Sequence, residues 1–252
     1  MNMKDKLTIF VMTHIVNYDT EPYMNNEMIL ECINSTQNNF NIKDVNFKIY
    51  CDSKFKDKDI KLYSKYLNNL RKIFKDMDNV TIEEDTGFGA IGNFKKFIKS
   101  INTPYFMFLE HDWEFTHKID MEEIITAFED IEYMNYCRFP KADASIPGEI
   151  PTRGWDALNG GVYEVYEEYN KIPLWKISFI SGNPHIARTS FFKDQIEPHL
   201  VASGQQYEKQ IFHNIIIPTI NELGKNKSHE ITGTFALGHL MAKHIGGWCR
   251  KG

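Results

Sequence analysis

The sequence predicts an α/β fold built around a mostly parallel sheet. The first observation is that short apolar runs alternate with helical patterns from the amino terminus, in the order βαβαβαβ. The second is that 42% of the 252 residues are hydrophobic and 13% are aromatic, which is enough for one large core. We therefore expect residues 1–252 to form a single domain.

The predicted elements of the first half follow one another with short connections. Four strands are predicted at residues 7–12, 47–51, 80–83 and 105–109, and three helices at residues 26–38, 59–77 and 91–101. In the third helix the apolar side chains recur near the helical period, while Lys95, Lys96 and Lys99 fall on the other side. Its apolar residues are Ile91, Phe94, Phe97, Ile98 and Ile101. We expect this helix to cover one face of the sheet.

The second half of the chain is less regular. A helix is predicted near residues 121–132 and a strand at residues 136–139, and a loop-rich stretch with several prolines and glycines follows at residues 141–175. Long irregular segments in compact domains are usually functional or disordered. Aromatic side chains such as Trp155 and Trp175 give this stretch something to bury, which argues against disorder.

Charge and cysteine content exclude several classes of partner. The chain has 29 basic and 34 acidic residues, a formal charge of −5, and no basic block of the kind found in nucleic-acid-binding arms. No apolar run approaches the roughly 18 residues of a membrane span. The four cysteines are widely spaced, and no secretion signal precedes the first strand. We expect a cytoplasmic protein with free thiols that binds no nucleic acid and does not span a membrane.

Polar side chains follow the predicted strands where ligands of such sheets bind, outside the carboxyl ends of the strands. They are Thr13 and His14, Asp52 and Ser53, Glu84 and Asp85, and the segment 110–112. Because parallel strands end at the same edge of a sheet, we expect these side chains to lie near one another.

The segment 110–112 has the strongest chemical pattern. A buried-looking strand ends abruptly in Glu110, His111 and Asp112. Carboxylates two residues apart at a strand end can converge on one divalent cation and its phosphates, because Mg²⁺ and Mn²⁺ prefer oxygen ligands. An ordinary strand end with surface acids would give the same pattern. The segment resembles the D-x-D element of GT-A glycosyltransferases, with Glu110 in place of the first aspartate.

The resemblance to family 2-like GT-A glycosyltransferases extends over most of the chain. The segments that carry it, in the family's order, are 11–14 (Val-Met-Thr-His), 50–53 (Tyr-Cys-Asp-Ser), 92–93 (Gly-Asn), 179–184 (Phe-Ile-Ser-Gly-Asn-Pro), 186–192, 206–209 (Gln-Tyr-Glu-Lys), 233–235 and 244–247 (His-Ile-Gly-Gly). It implies a GT-A fold with a Rossmann-like nucleotide half at about residues 1–112 and a smaller acceptor half at about residues 113–252. It also implies metal-dependent transfer of a sugar from a nucleotide-sugar donor to a carbohydrate or other hydroxyl acceptor.

The resemblance implies roles for individual residues. The donor-binding positions are Thr13, His14, Asp52, Asn93 and Glu110. The acceptor-binding positions are Trp155, Ser181, Gly182 and Asn183. Asp112 is the implied ligand of Mn²⁺ or Mg²⁺, assisted by Glu110 and by His244, whose neutral imidazole could complete the coordination of a transition metal. His185 and His239 are interpreted as ordinary core or surface histidines.

Glu208 is the candidate general base. Ser203 and Gln206 form an S-x-x-Q capping box, so that Glu208 shares a helix face with the apolar residues at 211, 212 and 215. In an inverting transferase such a carboxylate would take the acceptor's hydroxyl proton. A glutamate favoured there only by the helix dipole is the alternative, and the resemblance favours the base. Asp156 and Glu164 are the next candidates.

Three other functions fit parts of the sequence. Residues 87–92 read G-x-G-x-x-G after a strand, as in NAD(P)-dependent dehydrogenases, but three acids precede them and they lie in the third βα unit. A nucleotidyltransferase of related fold usually has a glycine-rich, basic first loop, which residues 13–19 lack. A carbohydrate-binding module without catalysis could use the aromatic stretch for sugar stacking.

Overall fold

In a computed structural model of the chain, the described strands form two sheets. The structure describes residues 2–13, 27–52, 60–84, 89–140, 165–169, 172–201, 207–238 and 241–245, with the backbone alone at 60, 62, 165–168 and 244. The strands are β1 Leu7–Thr13, β2 Asn46–Cys51, β3 Val80–Glu84, β4 Tyr105–Glu110, β5 Trp113–Phe115, β6 Tyr136–Arg138, β7 Val165–Tyr169, β8 Ile172–Lys176, β9 His185–Arg188, β10 Thr234–Leu237 and β11 Ala242–His244.

Helices connect most of these strands. The α-helices are α1 Met3–Lys6, α2 Glu27–Phe40, α3 Ile60–Ile73, α4 Gly89–Ser100, α5 Met121–Asp130, α6 Thr189–Phe191, α7 Tyr207–Ile211, α8 Ile217–Leu223 and α9 Lys225–Thr232. Two π-helical turns, Phe192–Ile196 and Phe212–Ile216, and a 3₁₀ turn, Glu197–His199, complete the described set. The alternation β1-α2-β2-α3-β3-α4-β4 confirms the predicted βαβαβαβ order of the first half.

The large sheet has the strand order β3-β2-β1-β4-β9-β6-β10-β8-β7. Its first four strands are parallel, as predicted. Strand β9 then lies antiparallel between β4 and β6, so that a strand from late in the chain extends the parallel half directly. The small sheet pairs β5 with β11 in antiparallel fashion. One continuous sheet therefore carries strands of both halves of the chain.

Alternate side chains of β1 and β4 enter two separate apolar clusters. Ile9 and Met107 belong to one cluster, and Phe10 and Phe108 belong to the other. Because successive side chains of a strand point to opposite faces, the clusters cover both faces of the sheet. This explains why these strands appear in the sequence as continuous apolar runs rather than as alternating ones.

Helix α4 has the predicted amphipathic form. The five predicted apolar residues, four of them within the helix and Ile101 just after it, are nearly inaccessible, whereas Lys96 and Lys99 are exposed. The helix predicted over 59–77 is shorter and ends at Ile73, because turns at 74–80 return the chain to β3. In these turns Met77 donates to the Phe74 carbonyl at 3.1 Å and Val80 to the Met77 carbonyl at 3.0 Å.

Each π-helical turn ends just before a proline. Pro198 follows the turn Phe192–Ile196, and Pro218 follows the turn Phe212–Ile216. Proline has no backbone N–H and cannot make the i→i−4 bond of an α-helix. Just before Pro218 the Ile217 N–H bonds to the Phe212 carbonyl, which is the wider π-helical register. The turn Phe212–Ile216 continues α7, the helix that carries Glu208.

None of the helices in the described ranges is both long and apolar enough to cross a bilayer. Among the described residues, Cys32, Cys51 and Cys137 are buried in the core and form no disulfide, as the sequence predicts. Cys249 lies outside the described residues.

Candidate active site

The ends of β1, β2 and β4 bring three predicted site residues to one edge of the sheet. Met12 of β1 lies opposite Glu110 of β4, and Thr13 lies opposite Cys51 of β2. The N–H of Asp52 donates to the Thr13 carbonyl at 2.7 Å. Thr13, Asp52 and Glu110 therefore lie on neighbouring strand ends. His14 lies outside the described residues.

The Thr13 side chain has a structural partner. It is fully buried, and its hydroxyl shares a hydrogen bond with the Tyr66 hydroxyl of α3. Burial raises the pKa of Tyr66 well above its ordinary value, so that the phenol stays protonated. The bond ties the end of β1 to α3. A contact between Thr13 and a donor stays a prediction.

Helix α2 supports the turn after β4. The Cys32 thiol donates to the Glu110 carbonyl at 3.5 Å, and the Ser35 hydroxyl accepts from the Phe115 N–H at 3.2 Å. Burial raises the pKa of Cys32, and the negative charge of Asp112 acts in the same direction. Asp112 therefore lies on a turn whose two ends are hydrogen-bonded to α2.

The backbone of His244 lies beside Asp112. His244 of β11 pairs with Trp113 of β5, and the next residue, Ile245, donates its N–H to the Asp112 carbonyl at 2.8 Å. The backbones of two residues predicted to be metal ligands, far apart in the sequence, therefore lie next to each other. The His244 side chain lies outside what the structure describes, and within the described part no three His, Cys, Asp or Glu side chains form a metal-binding group.

Asn93 is a buried amide near the same edge. It lies in the second turn of α4, whose amino terminus faces the carboxyl ends of the parallel strands. The side chain is completely inaccessible, and neither its oxygen nor its nitrogen has a hydrogen-bond partner in the described parts of the chain. An unsatisfied buried polar group costs about 1–3 kcal/mol, so its presence requires an explanation.

The segment 181–183 is held by two tyrosine hydroxyls. The Tyr136 hydroxyl accepts from the Ser181 N–H at 3.0 Å and donates to the Ser181 carbonyl at 3.2 Å. The Tyr207 hydroxyl donates to the same carbonyl at 3.2 Å. The Asn183 N–H donates to the Ser181 hydroxyl at 3.0 Å. The three predicted acceptor-binding residues of this segment therefore form a hydrogen-bonded loop. Trp155 lies outside the described residues.

Glu208 is hydrogen-bonded to this loop. It is the second residue of α7, and one carboxylate oxygen, Oε1, accepts from the Gly182 N–H at 2.9 Å. Burial raises the pKa of Glu208 above its ordinary value, although backbone N–H donors and the charge of Lys209 oppose the rise. A carboxylate with a raised pKa is suited to proton transfer. The capping residues Ser203 and Gln206 lie outside the described residues.

Tyr207 connects the loop with the strand edge. Its ring packs on Phe94 of α4 and Phe108 of β4, with centroids 5.4 and 5.7 Å apart. Burial raises its pKa, and the charges of Glu208 and, more weakly, Glu110 act in the same direction. The negative charges of both carboxylates therefore act on one phenol. Sequence reasoning missed Tyr207 and Tyr136, and the only signal was the position of Tyr207 next to Glu208.

His185 is a core histidine, as the sequence predicts. It is completely inaccessible, its ring stacks on Phe108 with centroids 5.1 Å apart, and its Nδ1 donates to the Asn183 carbonyl at 2.9 Å. Burial lowers its pKa to about 4, so that it stays neutral. His239 lies outside the described residues.

The overall arrangement of strands and helices is shared with known structures. TarS 1–349 of S. aureus superimposes with a TM-score of 0.55 over 95% of this chain at 13% identity. The same protein in complex with UDP-GlcNAc gives a TM-score of 0.53 over 98% of this chain at 14% identity. GalNAc-T7 with UDP, GalNAc and Mn²⁺ gives 0.51 over 96% at 9% identity. Both proteins are GT-A-type glycosyltransferases. This chain has the GT-A fold.

The shared fold confirms the predicted fold class. The antiparallel strand β9 beside β4 also distinguishes the sheet from the all-parallel dinucleotide-binding fold that residues 87–92 suggested. The chain spans 60% of the TarS 1–349 structure and 43% of the GalNAc-T7 structure. Neither a protein-family model nor a curated protein matches the sequence.

Proposed function

We propose that this chain is a glycosyltransferase that moves a sugar from a nucleoside-diphosphate sugar to a hydroxyl acceptor. The observation that carries the proposal is the placement of Glu208, a carboxylate with a raised pKa, which accepts from the Gly182 N–H next to Tyr207, a ring that packs on Phe108 of β4. The GT-A fold supports it, because TarS structures hold UDP or UDP-GlcNAc and GalNAc-T7 holds UDP. A uridine-diphosphate sugar is therefore the first donor to test.

The proposed reaction is a single displacement. The acceptor's hydroxyl oxygen bonds to the anomeric carbon of the sugar while the bond from that carbon to the diphosphate oxygen breaks. Glu208 takes the hydroxyl proton, and the nucleoside diphosphate leaves with the electron pair of the broken bond. Attack on the face opposite the leaving group inverts the anomeric configuration. In this proposal residues from about 1 to 112 bind the donor, and residues from about 113 to 252 bind the acceptor.

Asp112 is the proposed principal ligand of Mn²⁺ or Mg²⁺, with Glu110 and His244 assisting. The ligating atoms of these three side chains fit these ions, because carboxylate oxygens suit both ions and imidazole nitrogen suits Mn²⁺. The backbone pairing of β5 with β11 supports the participation of His244. When bound, the cation would neutralise charge on the leaving diphosphate. The Mn²⁺ in the GalNAc-T7 structure is consistent with this proposal.

Release of nucleoside diphosphate tests the proposed function. The protein is incubated with Mn²⁺ and a panel of nucleotide sugars that begins with UDP-GlcNAc, and thermal stabilisation and free nucleoside diphosphate are measured in parallel. A transferase releases the diphosphate, whereas a carbohydrate-binding module without catalysis does not. If no donor raises the melting temperature and none is cleaved, the proposed function is wrong.

Asn93→Leu is expected to separate stability from donor binding. The leucine removes a buried amide without hydrogen-bond partners among the described residues, so the free energy of unfolding of the ligand-free protein should rise by about 1–3 kcal/mol. If the donor satisfies that amide, nucleotide affinity should fall about tenfold. Denaturant unfolding and calorimetric titration with UDP and Mn²⁺ measure the two effects.

Asn79→Leu is the matched control. The Asn79 amide donates to the Val45 carbonyl at 2.8 Å and to the Lys43 carbonyl at 3.0 Å, before the start of β3 and away from the site edge. Its replacement should lower stability and leave nucleotide affinity unchanged. An Asn93→Leu protein that binds nucleotide normally would exclude a donor contact by Asn93.

A further inference from the structure

The backbone conformation of Gly182 does not explain why this position lacks a side chain. Its φ is not among the positive values that the described glycines adopt at 89, 224 and 233, so an L-residue could take the same backbone conformation. A Cβ at Gly182 would overlap Oε1 of Glu208, and would lie 3.1 Å from the Glu208 Cδ and 3.4 Å from the Tyr207 hydroxyl. The missing side chain therefore leaves the space that the Glu208 carboxylate occupies.

We propose that Gly182 is the positioning residue of Glu208, through its N–H donor and through the space that a Cβ would fill. The role rests on the proposed function, in which Glu208 is the general base. It differs from the acceptor-binding role that the sequence resemblance implies for Gly182, because the partner of Gly182 is the base itself.

The loop around Gly182 cannot easily move with the carboxylate. Ser181, the preceding residue, has both its N–H and its carbonyl bonded to the Tyr136 hydroxyl. The Tyr207 hydroxyl gives the same carbonyl a second bond, and the Asn183 N–H is bonded to the Ser181 hydroxyl. Tyr136 is itself completely buried on β6. The Gly182 N–H is thereby fixed to the sheet, and a carboxylate bonded to it takes a defined position.

The electrostatic surroundings of Glu208 make this donor important. Burial disfavours its charged form, whereas its own backbone N–H, the N–H of Gly182 and the charge of Lys209 favour it, in that order. The other titratable groups facing it are the Tyr207 and Tyr136 phenols, with Glu110 acting on Tyr207 and Arg138 acting on Tyr136. Loss of the Gly182 bond should therefore raise the pKa of Glu208 further.

Gly182→Ala tests the proposal. The new Cβ would overlap only the carboxylate end of the flexible Glu208 side chain. We therefore expect a folded protein in which the Glu208 carboxylate has moved. Transfer should fall about 10–100-fold in kcat because a displaced base no longer meets the hydroxyl, while KM for the donor stays within about twofold of the wild-type value. The acid limb of the pH profile should shift to higher pH. A change that only weakened the fold would not move this limb.

The pKa of Glu208 gives a measurement that does not depend on catalysis. Protein labelled with ¹³C at the glutamate carboxyl carbon is titrated by NMR, and the Glu208 resonance is the one absent from Glu208→Gln. The pKa should rise in Gly182→Ala relative to wild type. A wild-type kcat and an unchanged Glu208 pKa in Gly182→Ala would overturn the proposal. If wild-type protein cleaves no donor, the proposed function fails, yet the titration still decides whether Gly182 controls Glu208.

Tyr136→Phe provides the test if Gly182→Ala does not fold. It keeps the buried ring and removes one of the two hydroxyls that bond to Ser181. The Glu208 pKa should therefore shift in the same direction as in Gly182→Ala, and by a smaller amount. Tyr105→Phe is the matched control, since Tyr105 is also buried but lies at the start of β4, away from the site edge. Equal effects of the two tyrosine variants on the Glu208 pKa would overturn the proposal.

Discussion

Glu208→Gln is expected to reduce sugar transfer by about 10²–10⁴-fold while leaving the fold and the nucleotide affinity unchanged. Glutamine preserves the shape of the side chain, and its amide oxygen can still accept the Gly182 N–H. It cannot take a proton from an attacking hydroxyl. Transfer, melting temperature and calorimetric affinity for UDP with Mn²⁺ are measured on the same preparation.

The raised pKa of Glu208 predicts how sugar transfer and stability depend on pH. Because burial raises its pKa, the base form is lost on the acid side at a higher pH than an ordinary glutamate would require. Its folded-state pKa lies above its unfolded value, so its stabilising contribution is fully present below the unfolded pKa and is lost as the pH rises through the folded pKa. Glu208→Gln should therefore melt no lower than wild type at neutral pH.

Glu222→Gln is the control for this substitution. Glu222 is exposed on α8, later in the same helical run. It should transfer sugar at the wild-type rate. Near-normal transfer by Glu208→Gln would move the base elsewhere, with Asp156 and Glu164 next to test. A product with retained anomeric configuration, seen by NMR, would remove the need for this base.

Asp112→Asn is expected to weaken metal-dependent nucleotide binding by roughly tenfold or more. The amide keeps the size of the side chain and removes the negative charge that a hard cation prefers. Titration of UDP with and without Mn²⁺, each repeated with a chelator, measures the effect. The wild-type protein should lose affinity when the chelator is added, whereas Asp112→Asn should bind equally weakly in both conditions.

Asp76→Asn is the control for Asp112→Asn, since Asp76 is an exposed aspartate in the turn after α3. It should leave nucleotide affinity and its response to Mn²⁺ unchanged. His244→Ala, tested alongside, determines whether the β5–β11 pairing brings a third ligand to the cation. Normal nucleotide affinity in Asp112→Asn, or wild-type binding that ignores the chelator, would contradict the metal site.

The local pattern of apolar residues was enough to predict the parallel half of the sheet and the edge at which its strands end. The periods of the apolar residues are local, so β1, β2, β4 and the buried face of α4 follow from short windows of sequence. The parallel order then places Thr13, Asp52 and Glu110 on one edge, because parallel strands linked by helices end on the same side. The fold class was predictable for the same reason.

Contacts between residues far apart in the chain are visible only in the folded structure. Strand β9 lies against β4, β11 lies against β5, and the Gly182 N–H bonds to a carboxylate 26 positions later in the chain. No period in the sequence encodes such contacts, because they depend on the satisfaction of buried backbone groups by partners far away in the chain. Tyr136 and Tyr207 look like ordinary core aromatics in the sequence. Only the packing of β6 and α7 brings their hydroxyls to Ser181, the residue before the Gly182 N–H that bonds to Glu208.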